Sequence, residues 1–148
     1  ATLFKRVPDA VRAYREMLKV DPSNQMAGLM LGNLLAEAGD REGAVAQLEQ
    51  LTVVNPSFAD AWFNLGYLHD QADRLTDAER CFRRAVELRP SLDRAWYGLG
   101  LVLIRDGRLT EAVDALKLAP GMPAIVSMKA TSVAVELPRG PLSRRHAD

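Results

Sequence analysis

The side chains that most often carry catalysis are few in this chain and far apart. The two histidines, His69 and His146, stand neither in a metal-ligand spacing nor near a serine or cysteine motif. The single cysteine, Cys81, excludes an intrachain disulfide and is interpreted as a spare helix thiol, whose pKa the neighbouring arginines are expected to lower somewhat. Asp60 and Asp70 would lie about 15 Å apart along one helix, too far for joint acid–base chemistry. The sequence therefore predicts a protein that is not an enzyme and needs no metal or cofactor.

The charge balance argues against two further classes of partner. Nineteen basic and nineteen acidic residues cancel, so no long-range field gathers nucleic acid or anionic lipid. No run of about 18 apolar residues is present, which predicts no membrane-spanning helix. The chain begins with alanine rather than methionine. A cytoplasmic location is expected, or a periplasmic one if the chain belongs to a longer exported protein.

The elements that must position any functional side chain are revealed by an internal repeat. Residue types recur every 34 positions along most of the chain. Six columns are in phase: Pro22, Pro56 and Pro90; Ala10, Ala44, Ala78 and Ala112; Gly32, Gly66 and Gly100; Leu31, Leu65 and Leu99; Tyr14, Leu48, Phe82 and Leu116; Trp62 and Trp96. A fixed period of this length predicts an array of stacked structural units.

Each unit is predicted to contain two helices. In residues 57–90, apolar residues recur at three- and four-residue spacing in two stretches separated by a short turn. Ser57 is predicted to cap the first helix, and Thr76 with Glu79 to form a capping box for the second. Pro90 is expected to end the second helix, because its ring disfavours α geometry in the preceding residue.

Small and large residues at the repeated positions predict how the two helices pack. Gly66 and Ala78 have little or no side chain, so the helices of one unit are expected to approach closely. Trp62, Trp96 and Phe82 are interpreted as core-filling residues rather than as aromatics that contact a ligand.

The spacing W-x2-L-G-x2-Y, then A-x3-F, then P resembles the tetratricopeptide repeat. Residues 59–92 carry it most fully, with His69 in place of the usual tyrosine. The matching residues there are Trp62, Leu65, Gly66, Ala78, Phe82, Ala85 and Pro90. The resemblance implies an all-α fold, a right-handed superhelix of stacked antiparallel helix pairs. About three and a half repeats are expected, followed by a C-terminal tail.

The resemblance also divides the chain. A repeat domain is expected at 1–119 and a tail without the repeat at 120–148. The repeats are a half repeat at 8–24, full repeats at 25–58 and 59–92, and a truncated repeat at 93–119. Within the tail, residues 124–137 fit a short helix, or alternatively an extended strand over 131–137. Residues 124–137 are expected to cap the last repeat or to fill a groove.

In proteins of this family the first helix of each pair lines a concave face, which implies a set of binding residues here. They combine apolar or aromatic surface with asparagines able to hold a peptide backbone. The set is Leu29, Met30, Asn33, Phe63, Asn64, Tyr67, Arg94, Tyr97 and Leu101. Some family members bind a terminal carboxylate at five such positions, but two of these are Leu29 and Gly98, whose side chains bind no anion. An internal or partly apolar segment is therefore favoured.

Two functions remain open on these grounds. The first is a protein-interaction scaffold that binds a peptide segment of a partner in the concave groove. The second is a structural or oligomerisation module, in which the unpaired first helix and the apolar tail dock onto a second copy to form a homo-oligomer.

Overall fold

The computed structural model describes residues 2–119, with side chains from residue 6 onward, and all regular structure in this range is α-helical. The chain divides into two compact units, Ala1–Pro90 and Ser91–Asp148. The first unit contains α1 (Thr2–Val20), α2 (Gln25–Glu37), α3 (Arg41–Val54), α4 (Ala59–Gln71) and α5 (Leu75–Leu88). The second contains α6 (Asp93–Arg105) and α7 (Leu109–Lys117). The tail predicted at 120–148 lies outside the described residues.

The helices associate in the pairs that the repeat predicts. Within the first unit α2 packs on α3 and α4 on α5, while α1 contacts α2 and α3 contacts α4. Within the second unit α6 packs on α7. Three-residue connections join the two helices of each pair, so the partners run antiparallel. The fold class, an all-α repeat of stacked helix pairs as in tetratricopeptide superhelices, is confirmed. The division into a repeat domain at 1–119 and a tail remains a prediction.

Close approach of paired helices depends on the repeated glycines. A Cβ atom added to Gly32 would lie 2.7 Å from Leu48 Cδ2, and one added to Gly66 would lie 3.0 Å from the ring of Phe82. Ala78 is fully buried at the same interface. The predicted packing role of Gly66 and Ala78 is therefore confirmed.

The aromatic residues divide into two groups. Phe82 is fully buried, as predicted for a core residue. Trp62 and Trp96 are only half-buried, so the core-filling prediction overstates their burial. Trp62 packs against the edge of the core, and its indole N–H donates to the carbonyl of Pro56 at 2.9 Å.

The predicted helix caps are wrong in the repeat at 59–92. The N-cap of α4 is Phe58 rather than Ser57, and it makes no side-chain capping bond. Phe58 instead packs its ring against the core. The helix α5 begins at Leu75, so Thr76 lies inside the first turn and forms no capping box with Glu79. Pro90 does lie just beyond the end of α5, as predicted.

The turn within each pair closes with a left-handed residue at the same repeat position. Gly39, Asp73 and Gly107 have φ values of 91°, 62° and 79°. After Gly39, the N–H of Asp40 donates to the carbonyl of Leu35 at 2.9 Å, while the N–H of Gly39 donates to that of Ala36 at 3.0 Å. This pattern is the Schellman motif, which satisfies the last carbonyls of a helix. The motif therefore fixes where each first helix ends.

The length and polarity of the helices bear on membrane insertion. Between residues 2 and 119, no helix combines the length and apolar character needed to cross a bilayer. The helix α1 is the longest of them, with 19 residues.

Candidate peptide-binding face

In the first unit, α2 and α4 contact each other and carry six of the predicted binding residues. Asn33 and Asn64 are brought directly together: Nδ2 of Asn64 donates to Oδ1 of Asn33 at 2.9 Å. The remaining four lie on the same two helices. They are Leu29 and Met30 on α2, and Phe63 and Tyr67 on α4.

The Asn33–Asn64 pair has hydrogen-bonding capacity beyond its own bond. A carboxamide offers two N–H donors and an oxygen with two lone pairs. Because Asn64 donates to Asn33, the side-chain N–H groups of Asn33 can still donate to a ligand, and the side-chain oxygen of Asn64 can still accept from one. A donor and an acceptor side by side match the carbonyl and N–H of an extended peptide. The pair therefore suits recognition of a peptide backbone.

The aromatic residues of α4 differ in how firmly they are held. The ring of Phe63 lies 5.8 Å from that of Phe82, centroid to centroid, at an interplanar angle of 44°. Such tilted pairs are favourable, so Phe63 is anchored to the buried core. Tyr67 is 52% exposed and offers its ring and hydroxyl to solvent. Of the two residues, Tyr67 presents the larger accessible surface.

The predicted apolar residues of α2 have mixed roles. Leu29 is half-buried because part of its side chain packs against the core cluster. Only the rest of the side chain is accessible to a ligand. Met30 is also half-buried. At the start of the same helix, Met26 is 62% exposed and adds flexible apolar surface.

An ion pair with no signature in the sequence lies at the start of α4. Nη2 of Arg89 lies 2.8 Å from Oδ1 of Asp60, and Nη1 lies 3.4 Å from Oδ2. This two-pronged contact joins the first turn of α4 to the residue that follows α5. The two residues are 29 positions apart, so no helical spacing could have indicated the pair.

The other three predicted residues belong to the second unit. Arg94, Tyr97 and Leu101 all lie on α6, at spacings of three and four residues that place them on one helix face. Arg94 is exposed, while Tyr97 and Leu101 are half-buried. The second unit therefore has a mixed basic and apolar face of its own.

Of the residues considered for catalysis, His69 and Cys81 are buried in the first unit, and His146 lies outside the described residues. Cys81 is fully buried, and burial raises the pKa of its thiol to about 11, because a thiolate loses hydration there. The charge of Arg80 does act to lower this pKa, as expected, but the loss of hydration on burial outweighs it and the net shift is upward. His69 is also buried, and burial lowers its pKa. Within residues 6–119, no group of three or more histidine, cysteine, aspartate or glutamate side chains is arranged to hold a metal ion.

Paired antiparallel helices at a 34-residue period, with glycines at the close contacts, define a helical-repeat protein of the interaction-scaffold class. The family model for the tetratricopeptide repeat matches residues 29–93 and 69–123. The chain belongs to the tetratricopeptide-repeat family.

Solved structures of MamA share this fold. One crystal structure of MamA is 25% identical, with a TM-score of 0.73, and covers 99% of this chain and 92% of its own. Another is 28% identical, with a TM-score of 0.72, and covers 83% of this chain and 67% of its own. A structure of MamA from Desulfovibrio magneticus RS-1, covering residue 41 to the end, is 22% identical with a TM-score of 0.68. The match covers 83% of this chain and 70% of that chain, and it shows the fold alone. No curated protein matches the chain.

Proposed function

We propose that the chain is a non-catalytic scaffold whose α2–α4 face binds an extended segment of a partner protein. The observation that carries this proposal is the Asn33–Asn64 amide pair, which offers a donor and an acceptor side by side next to exposed Tyr67. Tetratricopeptide repeats are typically non-enzymatic scaffolds, and they bind protein partners. The proposed partner is therefore a protein or peptide, rather than a nucleic acid or a membrane.

The chemistry of the face favours a particular kind of segment. Neutral amides recognise a peptide backbone whatever its side chains, whereas Tyr67 and Met30 favour an apolar side chain that packs on them. Leu29 stands where carboxylate-binding relatives use a polar or basic side chain, so a terminal carboxylate would gain nothing at that position. An internal segment with apolar anchors fits the face best.

A binding measurement tests the proposal. Peptides would be selected from a random display library with the purified chain, and their dissociation constants measured by calorimetry. Interface energy concentrates in a few aromatic and well-placed polar residues, whose truncation costs more than about 1 kcal/mol each. Tyr67→Ala and Asn64→Ala are therefore each expected to weaken binding by roughly fivefold or more, with the helical circular dichroism retained.

The control variant is Val53→Ala, because Val53 is 72% exposed and belongs to α3 rather than to the α2–α4 face. It is expected to leave the dissociation constant unchanged. Selected peptides that bind all three variants with wild-type affinity would contradict the proposed face.

An alternative function is self-association through α1. The difference in burial between Met17 and the equivalent residues of the later repeats favours this alternative. The residues one, two and three repeats after Met17 are Leu51, Ala85 and Ala119, and all three are buried. Met17 itself is 44% exposed. The surface of α1 around Met17 is thus one onto which a second copy is able to dock.

A further inference from the structure

His69 is a buried histidine without hydrogen bonds. It lies near the end of α4, in the position where the repeat motif carries tyrosine, and it is 4% exposed. Among the residues that the structure describes, neither Nδ1 nor Nε2 has a hydrogen-bond partner. A buried polar side chain with both ring nitrogens unsatisfied is uncommon, because each unpaired group loses its hydration without replacement.

The charged groups that act on the imidazole of His69 come from α3, from α5 and from the turn before α5. Glu49 belongs to α3, Arg74 to the turn before α5, and Asp77 and Arg80 to α5 itself. The buried thiol of Cys81 is influenced by three of the same groups. Two carboxylates and two guanidinium groups thus act on the imidazole with opposing signs. Loss of hydration on burial outweighs them and lowers the pKa of His69.

Protonation changes what this side chain requires. A neutral imidazole has one N–H donor and one acceptor nitrogen, whereas the imidazolium has two N–H donors and a full charge. In the packing of α4 against α3 and α5, the neutral ring lies without hydrogen-bond partners at a modest cost in free energy. A charged ring in the same place is much less favourable. Glu49 and Asp77 are the carboxylates whose charge favours the imidazolium, and both of their side chains reach solvent.

We propose that His69 is an acid-sensitive lock on the first unit: uptake of one proton from solvent drives the ring out of its site and opens the packing of α4 against α3 and α5. Because α4 also carries Asn64 and Tyr67, the opening would release a bound segment. That last consequence rests on the proposed function, whereas the opening itself does not.

The direction of the pH effect follows from the two protonation equilibria. In the unfolded chain His69 titrates near 6.5, and in the folded protein it titrates below that value. As the pH falls through 6.5, the unfolded state takes up the proton first, so stability decreases until the pH passes the lower, native pKa. Each unit of difference between the two pKa values reduces the folding equilibrium constant tenfold at acid pH.

Urea unfolding at a series of pH values from 8 to 5 tests the lock in the full chain. The wild type is expected to lose stability below pH 6.5, whereas His69→Phe, which cannot titrate, is expected to lack this loss. His69→Tyr, which restores the residue type of the motif, serves as the second non-titrating variant. The control is His146→Gln, which removes the other histidine and should keep the wild-type pH profile. Identical profiles for all four proteins would overturn the proposal.

Two measurements on the wild type do not depend on whether the variants fold. The Cε1–H resonance of His69 is expected to titrate below 6.5 by NMR, and a value of 6.5 or above would overturn the lock. Amide exchange, corrected for its intrinsic pH dependence, is expected to accelerate in α3, α4 and α5 between pH 7 and 5.5, but not in α6 and α7. Peptide release is measured separately, so failure of the groove alone leaves these two readouts unchanged.

Discussion

At the residue scale, Cys81 shows how burial overrides nearby charge. Arg80 is adjacent in sequence, but its side chain is 66% exposed and pairs with Asp77 at 3.4 Å. Water screens an exposed guanidinium group, so its attraction for a thiolate is weak. The loss of thiolate hydration inside the core is not screened, and it raises the pKa of the thiol to about 11. The sequence shows which residues are adjacent, but not which of them face solvent.

Cys81 should consequently be inert until the first unit opens. At pH 8, a thiol with a pKa near 11 is only about 0.1% ionised, and the thiolate is the reactive form. Labelling with an aromatic disulfide reagent is expected to be far slower in the native protein than in the urea-unfolded chain. The labelling rate should rise with urea in parallel with unfolding measured by circular dichroism. Rapid labelling of fully folded protein would show that the thiol is accessible.

At the element scale, the turn inside each helix pair depends on one left-handed residue. Gly39 has a φ of 91°, and an added Cβ there would meet no atom within 4 Å. The cost of a side chain at this position is therefore one of backbone conformation alone. Asp73 occupies the same repeat position with a φ of 62°, which is consistent with the tolerance of aspartate for this region.

Substitutions at Gly39 should rank by how readily the new residue adopts a positive φ. Gly39→Ala is expected to lower the free energy of unfolding by about 1–2 kcal/mol. Gly39→Asp should cost less, because the side chain of aspartate compensates locally. The measurement is urea unfolding of the two variants beside the wild type. A Gly39→Ala variant as stable as the wild type would mean that the turn relaxes out of the left-handed region.

The helix boundaries illustrate what local patterns predict and where packing decides. The apolar spacing and Pro90 located α4 and α5 within a few residues. The cap at Ser57 was wrong because Phe58, one residue later, is held in place by its packing against the core. In α2 and α3 the cap position carries Asn24 and Asp40, and both make the side-chain capping bond. The capping rule thus applies where the cap residue carries a side-chain oxygen that accepts from the free N–H groups, as Asn24 and Asp40 do, but not at Phe58.

At the scale of the whole molecule, the 34-residue period predicted the fold because each repeat pairs its two helices through residues at the same repeat positions. The glycine and alanine columns at 34-residue spacing translate directly into paired helices. The candidate site was predicted only as a set of positions. The bond between Asn33 and Asn64 joins residues 31 apart, a spacing outside the repeat, and it depends on how α2 lies against α4. Contacts of this kind require the stacked geometry of neighbouring repeats.

Self-association through α1 makes a prediction about the mass of the particle in solution. If α1 docks onto a second copy, light scattering at high protein concentration should give a multiple of the 16.3 kDa chain mass. Met17→Glu should then restore the monomer, because burying an unpaired carboxylate at an apolar interface is strongly unfavourable. Val53→Glu is the matched control, since Val53 is exposed on α3, and it should leave the mass unchanged. A strictly monomeric wild type would exclude this alternative, while the peptide-binding face on α2 and α4 would remain open to its own test.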